Sequence, residues 1–306
     1  MTPTQSVKII PWQTYAILAA GILAVSVSAI FIRLAQAENA PSLLIAAARL
    51  TIAALLLTPF TLRRYMPHLS QLKRRDLVLV ALSGFFLALH FIFWITSLEY
   101  TTVLISVVLV TTTPLWSAML EALFLRARLS QLTVIGLAIA IVGGVLISLP
   151  GEHAALDVGE NPLLGGLLAL AGAVAVAVYL VIGRSVRARL TLVPYIWLVY
   201  TMAALFTLVV VVLTRTPITG YSPQAYLYMA AVAVFPQLIG HSSFNYALEY
   251  FSATYVGIAT QLEPVSSALL AFVVFRETPR EAQVVGSIII LAGVMFASLG
   301  QTSRSD

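Results

Sequence analysis

The sequence predicts an all-α polytopic membrane protein of ten transmembrane helices, arranged as two inverted five-helix repeats. Three observations lead there. Of 306 residues, 60% are hydrophobic and only 9% charged, whereas a soluble domain carries about 25% charged residues; the chain cannot clothe a water-facing surface. Its apolar residues come in long continuous runs rather than ten-residue stretches of alternating polarity, which favours helices over a barrel. The second half of the chain also repeats the first.

Each spanning helix takes about 20 predominantly apolar residues, and ten such runs lie between polar breaks. The first, 12–35, is too long for the apolar core of a cleaved leader. Ala35-Gln36-Ala37 resembles a cleavage site, but only Lys8 precedes the run as a positive charge, so it is read as a retained helix. Run 42–61 follows Pro41 and stops at Arg63-Arg64, and 76–96 follows Lys73-Arg74-Arg75. Run 102–125 ends at Arg126; 131–149 ends at the acidic loop that holds Glu152 and Glu160. In the second half, 163–186 follows Pro162 and closes on Arg184 and Arg187, and 193–214 ends at Arg215. Run 223–248 opens at Ser222-Pro223, 253–275 opens after Ser252, and 282–299 follows Arg280-Glu281. The longest expected loops are 62–75 and 150–162.

With the N-terminus inside, twelve basic residues face the cytoplasm: Lys8, Arg63, Arg64, Lys73, Arg74, Arg75, Arg126, Arg128, Arg184, Arg187, Arg189 and Arg304. Four face outward: Arg33, Arg215, Arg276 and Arg280. Twelve against four places both termini in the cytoplasm of a cell inner membrane. The basic residues behind the net charge of +5 thus sit in short loops and set orientation, and imply no nucleic-acid partner. The absence of cysteine excludes a disulfide framework, a thiolate metal site and a cysteine nucleophile.

A shift of 150 residues lays Leu98-Glu99-Tyr100 on Leu248-Glu249-Tyr250, Pro114 on Pro264, Arg126 on Arg276, Gly136 on Gly286, Gly143 on Gly293 and Ser148 on Ser298. The fronts match more weakly, Arg33 with Arg184 at a shift of 151 and Pro41 with Pro194 at 153. The repeats are therefore 1–150 and 151–306. Five helices is an odd number, so the second repeat enters the membrane in the opposite direction. Inverted repeats create a pseudo-two-fold axis in the membrane plane and a site near the midplane. Such symmetry serves a carrier that exposes one site to either side. Pro114 and Pro264 fall halfway along their spans, where proline removes a helical hydrogen bond. The freed carbonyls of Val110 and Thr260 then need a partner, which a cavity supplies; a plain packing kink is the other reading.

These features resemble the EamA-type branch of the drug/metabolite transporter superfamily. The likeness rests on the ten-span duplication, Glu263-Pro264, Ala48-Arg49-Leu50 and the junction Phe275-Arg276-Glu277-Thr278 followed by Gly286 and Gly293. The chain departs from an even duplication at Ala127, opposite Glu277, and at Thr113, opposite Glu263. The resemblance implies carriage of small metabolites, often amino acids moved outward.

Each ionisable group inside a bilayer needs a reason, because it costs at least about 2.5–3.5 kcal/mol at the helix centre. Glu263 lies nearest the midplane and shares a helix face with Thr260 and Ser267. It either binds a substrate ammonium or carries a coupling proton, or it bonds a neighbouring helix or arginine structurally. Arg49 lies about 12 Å from its helix end at 1.5 Å per residue, and is read as a structural charge, held by an ion pair or backbone contact, with a substrate-carboxylate role as the lesser reading. Arg33 and Glu121 are expected at the interface.

His90, Trp94 and Ser97 form one stripe on the third span, and Gln237, His241 and Asn245 form another on the eighth. As stripes on repeat-related helices they suggest two walls of one cavity; each histidine alone is equally a packing residue. Trp116 with Thr112 and Thr113, together with Tyr179 and Gln261, occupies related central positions. Aromatic walls with few charges suit a neutral or zwitterionic molecule with an apolar part. A sugar phosphate demands several embedded Lys or Arg, and only Arg49 is deep. The glycines of the fifth and tenth spans, and Ala169, Ala173 and Ala177 on the sixth, are read as close-packing positions.

The expected function is a secondary transporter of small metabolites, amino acids and related amphipathic compounds among them, working by alternating access as an exporter. A channel or lipid scramblase is the alternative class. An intramembrane enzyme is the least favoured, since Asp76, Asp157 and Asp306 all lie outside span centres and no His-Glu-x-x-His or Gly-x-Ser-x-Gly motif occurs. No cofactor or metal is expected; the partners are the substrate and the bilayer.

Overall fold

The computed structural model describes residues 10–101, 106, 109–110, 112–147, 161–263, 265–266 and 281–302. Among them every regular element is helical. Six helices are long and apolar enough to cross a membrane, and two shorter apolar ones accompany them.

Helices α1 (Trp12–Ser26) and α2 (Ser28–Ala37) together make the first apolar segment, broken at Val27. Helix α3 (Ser42–Leu69) follows Pro41, and α4 (Arg74–Tyr100) follows Lys73. Next come α5 (Thr113–Phe124) and α6 (Gln131–Ile147). Helix α7 (Pro162–Arg187) starts where Asn161 accepts a hydrogen bond from the Leu164 amide at 3.1 Å, with Pro162 in the first turn. That combination satisfies an orphan amide and presets φ for the helix. Helix α8 (Leu192–Leu213) is followed by α9 (Pro223–Val232), which Ser222 caps at the Ala225 amide. The chain then runs through a π-helical segment, Ala233–His241, into α10 (Ser242–Ala247). Ser252 caps α11 (Ala253–Thr260), and α12 (Glu281–Thr302) comes last.

The packing pairs are specific. Helix α6 lies along α12, α4 along α7 and α8, and α3 along α8. Helix α1 lies against the π-helical segment and α10, while α5 touches α7 and α11. At the α6–α12 crossing a Cβ on Gly136 would stand 2.5 Å from the Gly293 carbonyl, and one on Gly143 2.7 Å from that of Gly286. Backbone thus meets backbone there, as small residues permit in membrane helices. Large apolar side chains such as Leu55, Leu167, Val212 and Ile288 stand exposed along the helices, the surface that lipid requires.

Three expectations need correction. The loop expected over 62–75 is largely helix, because α3 continues through Pro59 and Pro67 to Leu69. Its basic residues Arg63 and Arg64 extend the helix beyond the apolar run. Pro114 does not kink a continuous helix but sits in the first turn of α5, where a missing amide costs nothing. The Val110 carbonyl is met by the Thr113 hydroxyl at 2.7 Å, a local partner rather than a cavity. Glu121 is not interfacial: it is buried, and its carboxylate accepts bonds from the Ala253 and Thr254 amides at 2.8 and 3.0 Å. It holds the start of α11, whose unpaired amides favour a negative charge. Pro264 and the loop 152–160 lie outside the described residues.

Candidate functional site

The two polar stripes meet. His90 and Trp94 stack on one face of α4, ring centroids 5.9 Å apart and nearly parallel. The His90 ring lies 6.4 Å from that of His241, at the end of the π-helical segment. The latter ring also meets Phe91 at 5.1 Å, Phe244 at 5.5 Å and Tyr179 at 6.5 Å. Tyr179 donates to the Asn245 side-chain carbonyl at 2.7 Å, and the Asn245 amide donates back to the His241 carbonyl at 2.8 Å. Four residues of separation place Gln237, His241 and Asn245 along one side of the eighth apolar run, so a single face carries all three. His90, Trp94, Tyr179, Gln237, His241 and Asn245 are all buried.

Arg49 enters this cluster from α3. Its side chain is fully buried, its Nε donates to Gln237 Oε1 at 3.0 Å, and its guanidinium carbon stands 3.7 Å above the Phe91 ring centre. Among the described residues neither terminal nitrogen, Nη1 or Nη2, has a hydrogen-bond partner. The contacts that hold Arg49 among the described residues are Gln237 and the Phe91 ring, rather than the expected ion pair or backbone contact. Gln237 Nε2, His241 Nδ1 and Trp94 Nε1 also lack partners among those residues. His90 is different, its Nδ1 lying 2.9 Å from the Gly172 carbonyl.

The remaining residues sit apart. Trp116 donates to the Thr112 hydroxyl at 3.1 Å, and Thr113 donates to the Val110 carbonyl ahead of α5. No described contact links these three to the histidines. Gln261 is buried just beyond α11, two residues before Glu263. Pro264 lies outside the described residues.

Sequence reasoning missed Tyr200, Phe91 and Ser242. Tyr200 donates to the Gln237 carbonyl at 3.3 Å and lies 3.1 Å from the Ser242 hydroxyl. A signal for it existed: Tyr200 stands 151 residues after Arg49, the displacement that relates Arg33 to Arg184. Phe91 looked like one more apolar residue, and only the fold shows it under a guanidinium.

Chemically, the cluster offers a fixed cation, several unused donors and flat aromatic walls. It holds no nucleophile paired with a base, and suits binding rather than bond cleavage.

Comparison with known proteins agrees. The EamA-like transporter family model matches residues 11–149 and 163–299. A Bacillus subtilis (strain 168) protein named uncharacterized transporter YetK is 24% identical over 296 residues, covering 95% of this chain and 88% of its own. A Streptantibioticus cattleyicolor protein named probable terminal-alkyne amino-acid exporter is 28% identical over 193 residues, 61% of each chain. A solved structure titled only as a crystal structure of a protein shares the fold, with TM-score 0.78 and 21% identity, over 96% of this chain and 99% of that one.

Proposed function

Because the chain belongs to the EamA-like transporter family, we propose that it is a secondary transporter that exports small metabolites by alternating access, with the buried cluster as its substrate site. That it is a multi-pass membrane transporter and not an enzyme follows from the family. The substrate, the direction and the mechanism are the proposal.

The architecture proposed is ten helices in two inverted repeats, 1–150 and 151–306. The packing supports it. Under an exchange of repeats, α6 with α12, α3 with α8 and α5 with α11 each map onto themselves, and α4 with α7 maps onto the eighth run with α1; all these pairs are in contact. The family match in two separate stretches supports it as well. The proposed setting is the cytoplasmic membrane with both termini inside, as the distribution of basic residues favours.

The observation that carries the reading is the meeting of Arg49 and His90, from the first repeat, with Gln237 and His241, from the second. A site assembled from both repeats is exposed alternately when one rocks against the other. Tyr179, Asn245 and Trp94 complete the proposed walls, and Glu263, Gln261, Thr112, Thr113 and Trp116 are proposed to line the pathway beyond them. Export of amino acids or related amphipathic compounds is supported by the name of the Streptantibioticus relative.

Reconstituted liposomes loaded with unlabelled amino acid test this reading. The expected result is saturable counterflow of labelled amino acid that Glu263→Gln reduces at least tenfold while the variant still folds. Linear, non-saturating flux indicates a channel, and no flux of any metabolite across a broad panel removes the carrier reading.

A further inference from the structure

Several buried polar atoms of this cluster are left without partners among the described residues. Arg49 Nη1 and Nη2, Gln237 Nε2 and Trp94 Nε1 are buried donors without partners among the described residues. Arg49 and Gln237 are both fully buried. A buried donor left unmade is costly, and a buried charge more so. Membrane proteins keep such groups where function uses them.

The orientation of the guanidinium narrows what it can meet. One face is covered by the Phe91 ring at 3.7 Å, and the Nε edge is taken by Gln237. The end that carries Nη1 and Nη2 remains, and those two nitrogens form the planar fork that matches the two oxygens of a carboxylate. Because Gln237 accepts from Nε through its oxygen, its amide nitrogen is available as a further donor beside that fork. The acceptor required is an anion with at least two oxygens. A single deep cation suits one negative charge and not the two of a phosphate monoester.

We propose that the Arg49 fork, braced by Phe91 and Gln237, is the docking point for a carboxylate carried by the transported molecule. This deepens the carrier reading and rests on it for the word transported. The assignment turns Arg49 from a structural charge into a substrate-binding residue. Phe91, Trp94 and Tyr179 then supply flat apolar surface for the rest of the molecule.

The test uses the purified full-length protein in nanodiscs and four probes of one shape: L-phenylalanine, 3-phenylpropionate, L-phenylalanine methyl ester and 2-phenylethylamine. Thermal unfolding is followed against probe concentration. The two acids are expected to raise the melting temperature in a saturable way, with the ester and the amine at least tenfold weaker. Arg49→Gln is expected to abolish the preference for acids. Should that variant fail to fold, Arg49→Lys serves: it keeps the charge but loses the planar fork, so the two acids are expected to stabilise it at least tenfold more weakly than the parent. Equal effects of acid and ester, no effect of either acid, or acid stabilisation undiminished in Arg49→Lys each overturn the proposal. Counterflow of labelled phenylalanine separates the two readings. Arg49-dependent acid binding without counterflow leaves the docking point and removes the carrier; counterflow indifferent to Arg49→Gln does the reverse.

Discussion

Two buried arginines, Arg49 and Arg187, solve the same problem in opposite ways. Arg187, at the end of α7, uses its whole fork: Nε donates to the Asn245 carbonyl at 2.9 Å, Nη1 to the Leu190 carbonyl, and Nη2 pairs with Glu249 at 2.7 Å. Nearby, Arg184 donates to the Leu248 carbonyl at 2.6 Å. Arg49 has one hydrogen bond and an aromatic ring. A satisfied buried charge fixes two segments together, whereas an unsatisfied one is a standing cost that persists only for a use. Arg187 ties α7 to the segment after α10; Arg49 presents its end to whatever comes.

The contrast can be broken by measurement. Arg187→Met strands Glu249 and two carbonyls, and removing one partner of a buried pair costs about 3–5 kcal/mol. A large drop in apparent melting temperature is expected, and a variant that melts with the parent erases the distinction. Glu121→Ala leaves two buried amides of α11 unpaired, at about 1–3 kcal/mol each; hydrogen exchange at Ala253 and Thr254 should accelerate selectively. Glu249→Gln is milder, about 1 kcal/mol, because its side chain is 30% exposed and solvent screens the pair. Arg49→Gln is expected to change stability least, by less than about 1 kcal/mol, the scale of the lost ring contact, yet to abolish transport. Unfolding of that variant on the scale of Arg187→Met would make Arg49 structural after all.

Much of this was legible beforehand. Composition and run length identified a helical membrane protein. The stripes on the third and eighth runs were readable because helical spacing is local. Their meeting, and the entry of Arg49 between them, depended on which helices pack together, which spacing alone does not encode. Glu121 shows the limit plainly. Its position near a helix end suggests an interface, and only the approach of α11 makes it a buried cap. The break at Val27 and the π-helical turn around Pro236 carried no usable signal, since Val27 is an ordinary residue within an apolar run and a lone proline does not specify a π-helical turn.

The glycine crossing of α6 and α12 bears on routes through the lipid. Where Gly136 meets Gly293 and Gly143 meets Gly286, the two backbones approach so closely that a Cβ on Gly136 or Gly143 has no room. The seam therefore has no door: a greasy molecule dissolved in the bilayer cannot slip sideways between these helices while they stay in contact. That flank is a closed wall, and access from the membrane interior has to be sought around other helices.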